Sequence, residues 1–442
     1  MKCITSNRVL SAGSLAKRWI VFDDEKIRRV IDVPPTDFEG EMIDCGNMVV
    51  APGLVDTHVH INEPGRTEWE GFETATMSAA AGGITTVMDM PLNCLPVTTS
   101  KFAMDEKLNA LQGKLHIDVG LWGGVTPYSL KDLDFLLQQG VFGVKSFLID
   151  SGIEEFPEMN EKDLDQAMSI IANYDVPYLI HAEIDDHKTS AEITEKYQSF
   201  VDSRPRSWEN EAIKLMIDKS KQHNCRVHIV HLSSADMLPE IKKAKAGGKF
   251  TVETCPHYLL LNAEEIPDGK TQFKCCPPIR EKENNEKLWQ AIQDETIDFV
   301  VSDHSPCTPS LKLMETGDLE KAWGGISSLQ FGLPLMWTEF RSRGMDIPKL
   351  FKMMSEKTSS FLGLQNRKGK LDVGMDADFV VFDPDEEFEI TKDVIYHKHK
   401  ITPYEGRKVF GKVHMTFLRG EKVFDNNKFL DKPFGKTLIK GK

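Results

Sequence analysis

The apolar residues of this chain fall into short runs whose spacing changes along its length. Over residues 1–50 the runs are brief and β-rich. Arg18-Trp19-Ile20-Val21-Phe22 and Met48-Val49-Val50 are separated by breaks at Asp23-Asp24 and Pro34-Pro35. After Pro52-Gly53 a different rhythm begins. Strands are predicted over 54–60, 84–90, 115–121, 141–147, 176–181, 226–231, 250–254 and 297–302. Between them lie charged, amphipathic segments that read as helices, such as 69–81, 131–139, 161–173, 208–223 and 283–294. Eight β/α steps in a row predict an α/β fold, a (β/α)8 barrel of the TIM type. The alternative is an open doubly wound sheet. Such a sheet usually carries a glycine-rich phosphate turn after its first strand, and none is present. From about residue 365 the pattern is β-like again, with Val413–Leu418 and 421–424 reading as a hairpin around Arg419-Gly420. The predicted division is 1–50 and 365–442 as the two parts of one small β-sandwich domain, the second with a polar tail, and 51–364 as the barrel.

Composition narrows the function. Of 442 residues, 40% are hydrophobic and 28% charged, the balance of a soluble globular protein. The net charge of −14, with no basic stripe, argues against a nucleic-acid partner. No apolar run is long enough to span a membrane, and residues 1–15 lack the apolar core of a signal peptide. Eight cysteines without a CxxC spacing read as reduced thiols of a cytoplasmic protein.

The chemistry sits where the predicted strands end. His58 and His60 share one face of the first strand and can grip one metal ion. Alone, this pair is as easily two solvated histidines. The other strand ends change that balance. The fourth strand carries Lys145, the fifth ends in His181, the sixth in His231, and Asp303 follows the eighth. Active sites of such barrels lie at these ends, so the convergence points to metal ligands. Lys145 is flanked by apolar residues. Either it extends to the rim, or its neutral amine has captured carbon dioxide as a carbamate able to bridge two cations. Asp56 is expected to orient a ligand, and His257 to support one from behind. By strand parity His228 is expected to pack outward, and His304 to point away from Asp303. His116, His187, His223, His397, His399 and His414 are expected at the surface or in the β-domain.

These residues together resemble the amidohydrolase superfamily. Within it they resemble the cyclic-amide hydrolases: dihydroorotases, dihydropyrimidinases (hydantoinases) and allantoinases. The likeness is nearest to the allantoinases. It runs through residues 52–60, Glu63-Pro64-Gly65-Arg66, Trp69-Glu70-Gly71, Met90-Pro91-Leu92-Asn93, Cys255-Pro256-His257-Tyr258, Ser302-Asp303-His304-Ser305-Pro306-Cys307 and Ala322-Trp323-Gly324-Gly325-Ile326. The resemblance implies a binuclear centre. His58, His60 and Asp303 would hold one divalent metal, His181 and His231 the other, with carboxylated Lys145 bridging both. Zinc suits the nitrogen and oxygen ligands best, and manganese, cobalt, nickel or iron fit as well. It further implies opening of allantoin to allantoate with Asp303 moving the proton, and a homotetramer. Asn62 stands where dihydroorotases place an arginine, and Asp150 where dihydropyrimidinases place a tyrosine. Asn62, Cys276 and Trp323 are the expected substrate contacts. Hydantoinase-type hydrolysis is the second reading. A metal-free scaffold of the same fold is the third.

Overall fold

The computed structural model describes residues 1–442 except Asp24, Asp37, 188–190 and Lys442. Eight parallel strands form the barrel: Leu54–Val59, Ile84–Asp89, Asp118–Leu121, Val144–Phe147, Tyr178–His181, Val227–Ile229, Phe250–Thr254 and Phe299–Val300. Most are buried along their whole length, which is why they read as continuous apolar runs rather than alternating ones. Register runs in parallel around the ring, for example Phe147 beside His181 and Val227 beside Phe250. The ring closes where His304, beyond the eighth strand, pairs with Val59. There the His60 N–H donates to the His304 carbonyl at 2.8 Å.

Helices pack outside. Glu161–Ile171 shows why they form. Asn160 caps its first turn by accepting from the Asp163 N–H, and Leu164, Ala167, Met168 and Ile171 line one buried face.

Both chain ends build one nine-stranded sheet beside the barrel. Its order is Lys428–Phe429, Glu421–Asp425, Lys408–Leu418, Phe379–Glu389, Val49–Pro52, Lys2–Ser11, Ser14–Asp23, Lys26–Ile31, with Glu41–Asp44 also on Lys2–Ser11. Val49–Pro52 joins the two halves, with Phe379–Glu389 on one side and Lys2–Ser11 on the other. The sheet encloses its own core, in which Ile4, Ile20, Phe22, Val50, Phe379 and Phe417 meet. The polar tail returns to the barrel. Thr437–Leu438 runs parallel to Val119–Gly120 at the base of the third strand. Among the described residues no helix is long and apolar enough to cross a membrane.

Candidate metal centre

The first strand and the loop after it aim His58 and His60 into the barrel mouth, with ring centroids 5.4 Å apart. Asp303 Oδ1 lies 3.1 Å from His58 Nε2 and 3.6 Å from His60 Nε2. The ligand atoms of these three residues all fall within 4.8 Å of one another. Lys145 Nζ is 3.4 Å from His58 Nε2. On the far side His181 Nδ1 faces His231 Nε2 at 3.0 Å. The structure thus gathers all six predicted ligand residues around one point, and all are buried.

Burial decides their protonation. It pushes all four imidazoles below the ordinary histidine range, and His60 falls to about 3. It also pushes the Lys145 amine down and the Asp303 carboxyl up. Neutral imidazoles cannot balance a carboxylate, but they are the form that binds a metal. This donor set therefore suits divalent cations.

Carboxylates behind the ligands set their orientation. Glu253, on the seventh strand, sits 2.5 Å from His58 Nδ1 and 3.1 Å from His228 Nε2. A proton on His58 Nδ1 leaves Nε2 free toward Asp303 and Lys145. Glu183 holds His181 Nε2 at 2.8 Å, which turns Nδ1 to His231. Arg204 grips Glu183 at both oxygens, at 3.1 and 2.6 Å. Burial would raise the Glu183 carboxyl, but Arg204 and His181 outweigh it and hold it down at about 2.

His60, Lys145, His181, His231 and Asp303 line the floor of a cavity of about 490 Å³, with His58 buried beneath it. Its walls include Cys276, Trp323, Gly324 and Arg204, with Asp150 also lining it. Trp69 packs edge-on to Trp323 at 5.0 Å. Two buried lysines brace the wall. Lys274 Nζ donates to the carbonyls of Glu320 and Ala322, and Lys312 Nζ to those of Trp323 and Gly325.

Several sequence expectations need correction. His228 does not pack outward. Its ring is fully buried, bonded to Glu253 and stacked on Phe299. Strand parity fails because the strand ends at Ile229, and His231 turns inward with a φ of +41°. Asn62 does not line the cavity. Its φ of +67° carries the side chain to Pro306, whose carbonyl accepts from Nδ2 at 3.2 Å. Trp323 lines the wall, yet its N–H is already given to Leu311 and its carbonyl to Lys312. Asp56 orients no ligand ring. It accepts from the His58 and Ser302 N–H groups, tying the first strand to the eighth. His397 is buried against His304, which itself turns to Glu70. His116 is buried edge-on to Phe429. Glu253, Glu183 and Arg204 were not foreseen. The signal for Glu183 was present, two residues after a strand-end histidine.

The amidohydrolase family model matches residues 49–423. The chain belongs to the amidohydrolase family. An allantoinase of Streptomyces avermitilis is 48% identical, with 98% of each chain covered. An allantoinase of Saccharomyces cerevisiae is 42% identical over 99% of each. Among solved structures, an L-hydantoinase (dihydropyrimidinase) from Arthrobacter aurescens superposes with a TM-score of 0.93, at 29% identity and 99% coverage of each chain. The buried histidine–aspartate set fits the divalent-metal use of this amidohydrolase fold.

Proposed function

We propose that this amidohydrolase opens the ring amide of allantoin to give allantoate. The observation that carries the reaction class is the convergence of four neutral imidazoles, one amine and one carboxylate at one buried point, all but His58 lining a single cavity. The substrate follows the relatives named allantoinase, at 48% and 42% identity, over the hydantoinase at 29%.

In this reading His58, His60 and Asp303 hold one cation, and His181 and His231 the second. Bound cations supply Lewis acidity and an acidified water near neutral pH. Lys145 would carry a carbamate, an anion with two oxygens to offer the cations. Its burial favours the neutral amine that must react with carbon dioxide, and the carbamate supplies negative charge that neutral histidines lack. Asp303, at the cavity floor, accepts a proton from the attacking water and delivers it to the leaving ring nitrogen. Cys276 and the backbone beside Gly324 hold the amide edge of the substrate. Arg204 reaches the same cavity while fixing Glu183. Zinc is the assigned metal, by its fit to nitrogen and oxygen donors at a site that leaves room for water and substrate. The free state of all eight cysteines accords with a reducing cytoplasm. A homotetramer is the assembly that the family resemblance implies.

The test compares kcat/KM for allantoin, hydantoin, dihydrouracil and dihydroorotate on one metal-reconstituted sample. Allantoin is expected to lead by a wide margin. Preference for hydantoin or dihydrouracil moves the assignment to the hydantoinase branch. Preference for dihydroorotate overturns it.

A further inference from the structure

Beside the main centre lies a second donor set, two of whose three members ring hydrolysis does not use. Cys255 follows the seventh strand, and His257 comes two residues later in the short helix Pro256–Leu260. The Cys255 thiol, the His257 imidazole and the Asp303 carboxylate each present a ligand atom within 4.8 Å of the other two. All three residues are buried. Among the described residues neither ring nitrogen of His257 has a hydrogen-bond partner. A buried polar group left unpaired destabilises the fold, and this imidazole leaves two. Cys255 is a free thiol. The contacts of Asp303 with His58, His60 and Ser305 all fall on Oδ1, which leaves Oδ2 able to serve another ion.

The donor types fix the class of ligand. The main centre offers nitrogen and oxygen alone. This set adds sulfur, so it favours a thiophilic cation such as zinc in excess or cadmium, with three protein ligands. We infer that Cys255, His257 and Asp303 form a third, inhibitory metal position. On binding, the Cys255 S–H bond breaks, its proton goes to solvent, and a sulfur–metal bond forms. The ion then holds Asp303, and the carboxylate no longer carries a proton for hydrolysis. The inhibitory effect rests on the role proposed for Asp303, whereas the binding itself is read without substrate.

The test dialyses the metal-loaded enzyme against cadmium. Bound metal is counted by elemental mass spectrometry, and thiolate-to-cadmium absorption is followed in the ultraviolet. One ion per chain beyond the main-centre complement is expected, with the absorption, and turnover falls as it binds. Cys255→Ser should lose the extra ion, the absorption and the inhibition, and keep its main-centre metal. Cys276→Ser should keep the absorption. His257→Gln retains the thiol and should bind the extra ion about tenfold more weakly or worse. No extra cadmium in the parent enzyme overturns the site. So does an extra ion that persists with its absorption in Cys255→Ser, or unchanged affinity in His257→Gln. Extra cadmium bound through Cys255 with turnover unchanged overturns the inhibitory role. An extra ion in an enzyme that does not open allantoin supports the site and counts only against the assigned substrate.

Discussion

The two ends of the barrel treat buried charge in opposite ways. At the strand starts, Lys368 Nζ lies 2.9 Å from Asp118, 2.7 Å from Asp378 and 3.5 Å from Asp376. Arg419 pairs with Asp118, and its backbone N–H donates to Asp378 at 2.7 Å. Burial alone would raise the Asp118 carboxyl, but Lys368 and Arg419 outweigh it and hold it below the ordinary range. At the strand ends, Lys145 and Asp303 are as deeply buried but share their space with neutral imidazoles. Their charges are pushed toward neutrality instead of being stabilised. A network that satisfies itself serves the fold. One left unsatisfied is held by the rest of the fold and awaits ions that the chain does not supply.

One substitution made at both ends breaks or sharpens this contrast. Lys145→Met keeps the side chain's bulk and removes the amine. We expect kcat/KM to fall about a thousandfold or more, the several kcal/mol that bound cations contribute. The melting temperature of the metal-stripped protein should hold or rise, because an ill-compensated buried charge is gone. A clear drop in that melting temperature would show that Lys145 serves the fold after all.

Asp303→Asn removes the proton carrier and keeps an oxygen donor. Turnover should drop about a hundred- to a thousandfold, with part of the metal retained. Steady-state kinetics beside metal analysis checks this, and near-normal turnover would refute the acid–base role.

Lys368→Met is the mirror experiment. It leaves Asp118, Asp376 and Asp378 short of a cation, so stability should fall by about 3–5 kcal/mol in denaturant titration. Metal content per folded chain should stay the same. The pH dependence has a definite sign. Asp118 has a depressed folded value, so its contribution is present above the unfolded carboxylate value of about 3.9 and is lost as pH falls through the depressed one. The variant should lose much of this acid sensitivity. An unchanged stability-versus-pH curve would remove the strand-start network from the argument.

Between the extremes sits Glu183, a carboxylate at the strand ends that does have its cation. Arg204→Lys exchanges a two-pronged grip for a point charge. His181 should then be held less firmly, and metal affinity should weaken about ten- to a hundredfold. Competition against a chelator measures it. Unchanged affinity would mean that Arg204 acts only as cavity wall.

The same contrast explains what the sequence disclosed. The barrel was legible because its strands are buried along their length: Phe250–Thr254 falls where its apolar run lies, and Lys282–Gln293 is within one residue of the predicted helix. The six clustered residues were legible because strand ends in a barrel share one place. Parity worked for His58 and His60, where the strand runs to Val59, and failed for His231, where it stops at Ile229. Asn62 was misread because a positive φ is invisible in a residue name. Glu253 was overlooked because its meaning comes from His58, 195 positions away. His397 likewise owes its burial to contact with distant His304.

The smallest effect is expected where the strand-start network meets the tail. Lys436 takes part twice. Its backbone N–H donates to Asp118 Oδ1 at 2.9 Å, and its side chain pairs with Glu25 at 2.8 Å. The side-chain pair is open to solvent, at 56% and 40% exposure, so it should be worth at most about 1 kcal/mol. The backbone bond survives any substitution except proline. The strand pairing of Thr437–Leu438 with Val119–Gly120 survives as well. Gly435 is different, because a Cβ there would come within 2.0 Å of the Ile117 carbonyl oxygen. Lys436→Ala should therefore shift the denaturation midpoint only slightly, whereas Gly435→Ala should shift it clearly. The ranking asks whether the tail is held by backbone fit or by charge. If Lys436→Ala proved the more damaging of the two, the exposed pair would be the true anchor, and charge at this end would extend beyond the buried network.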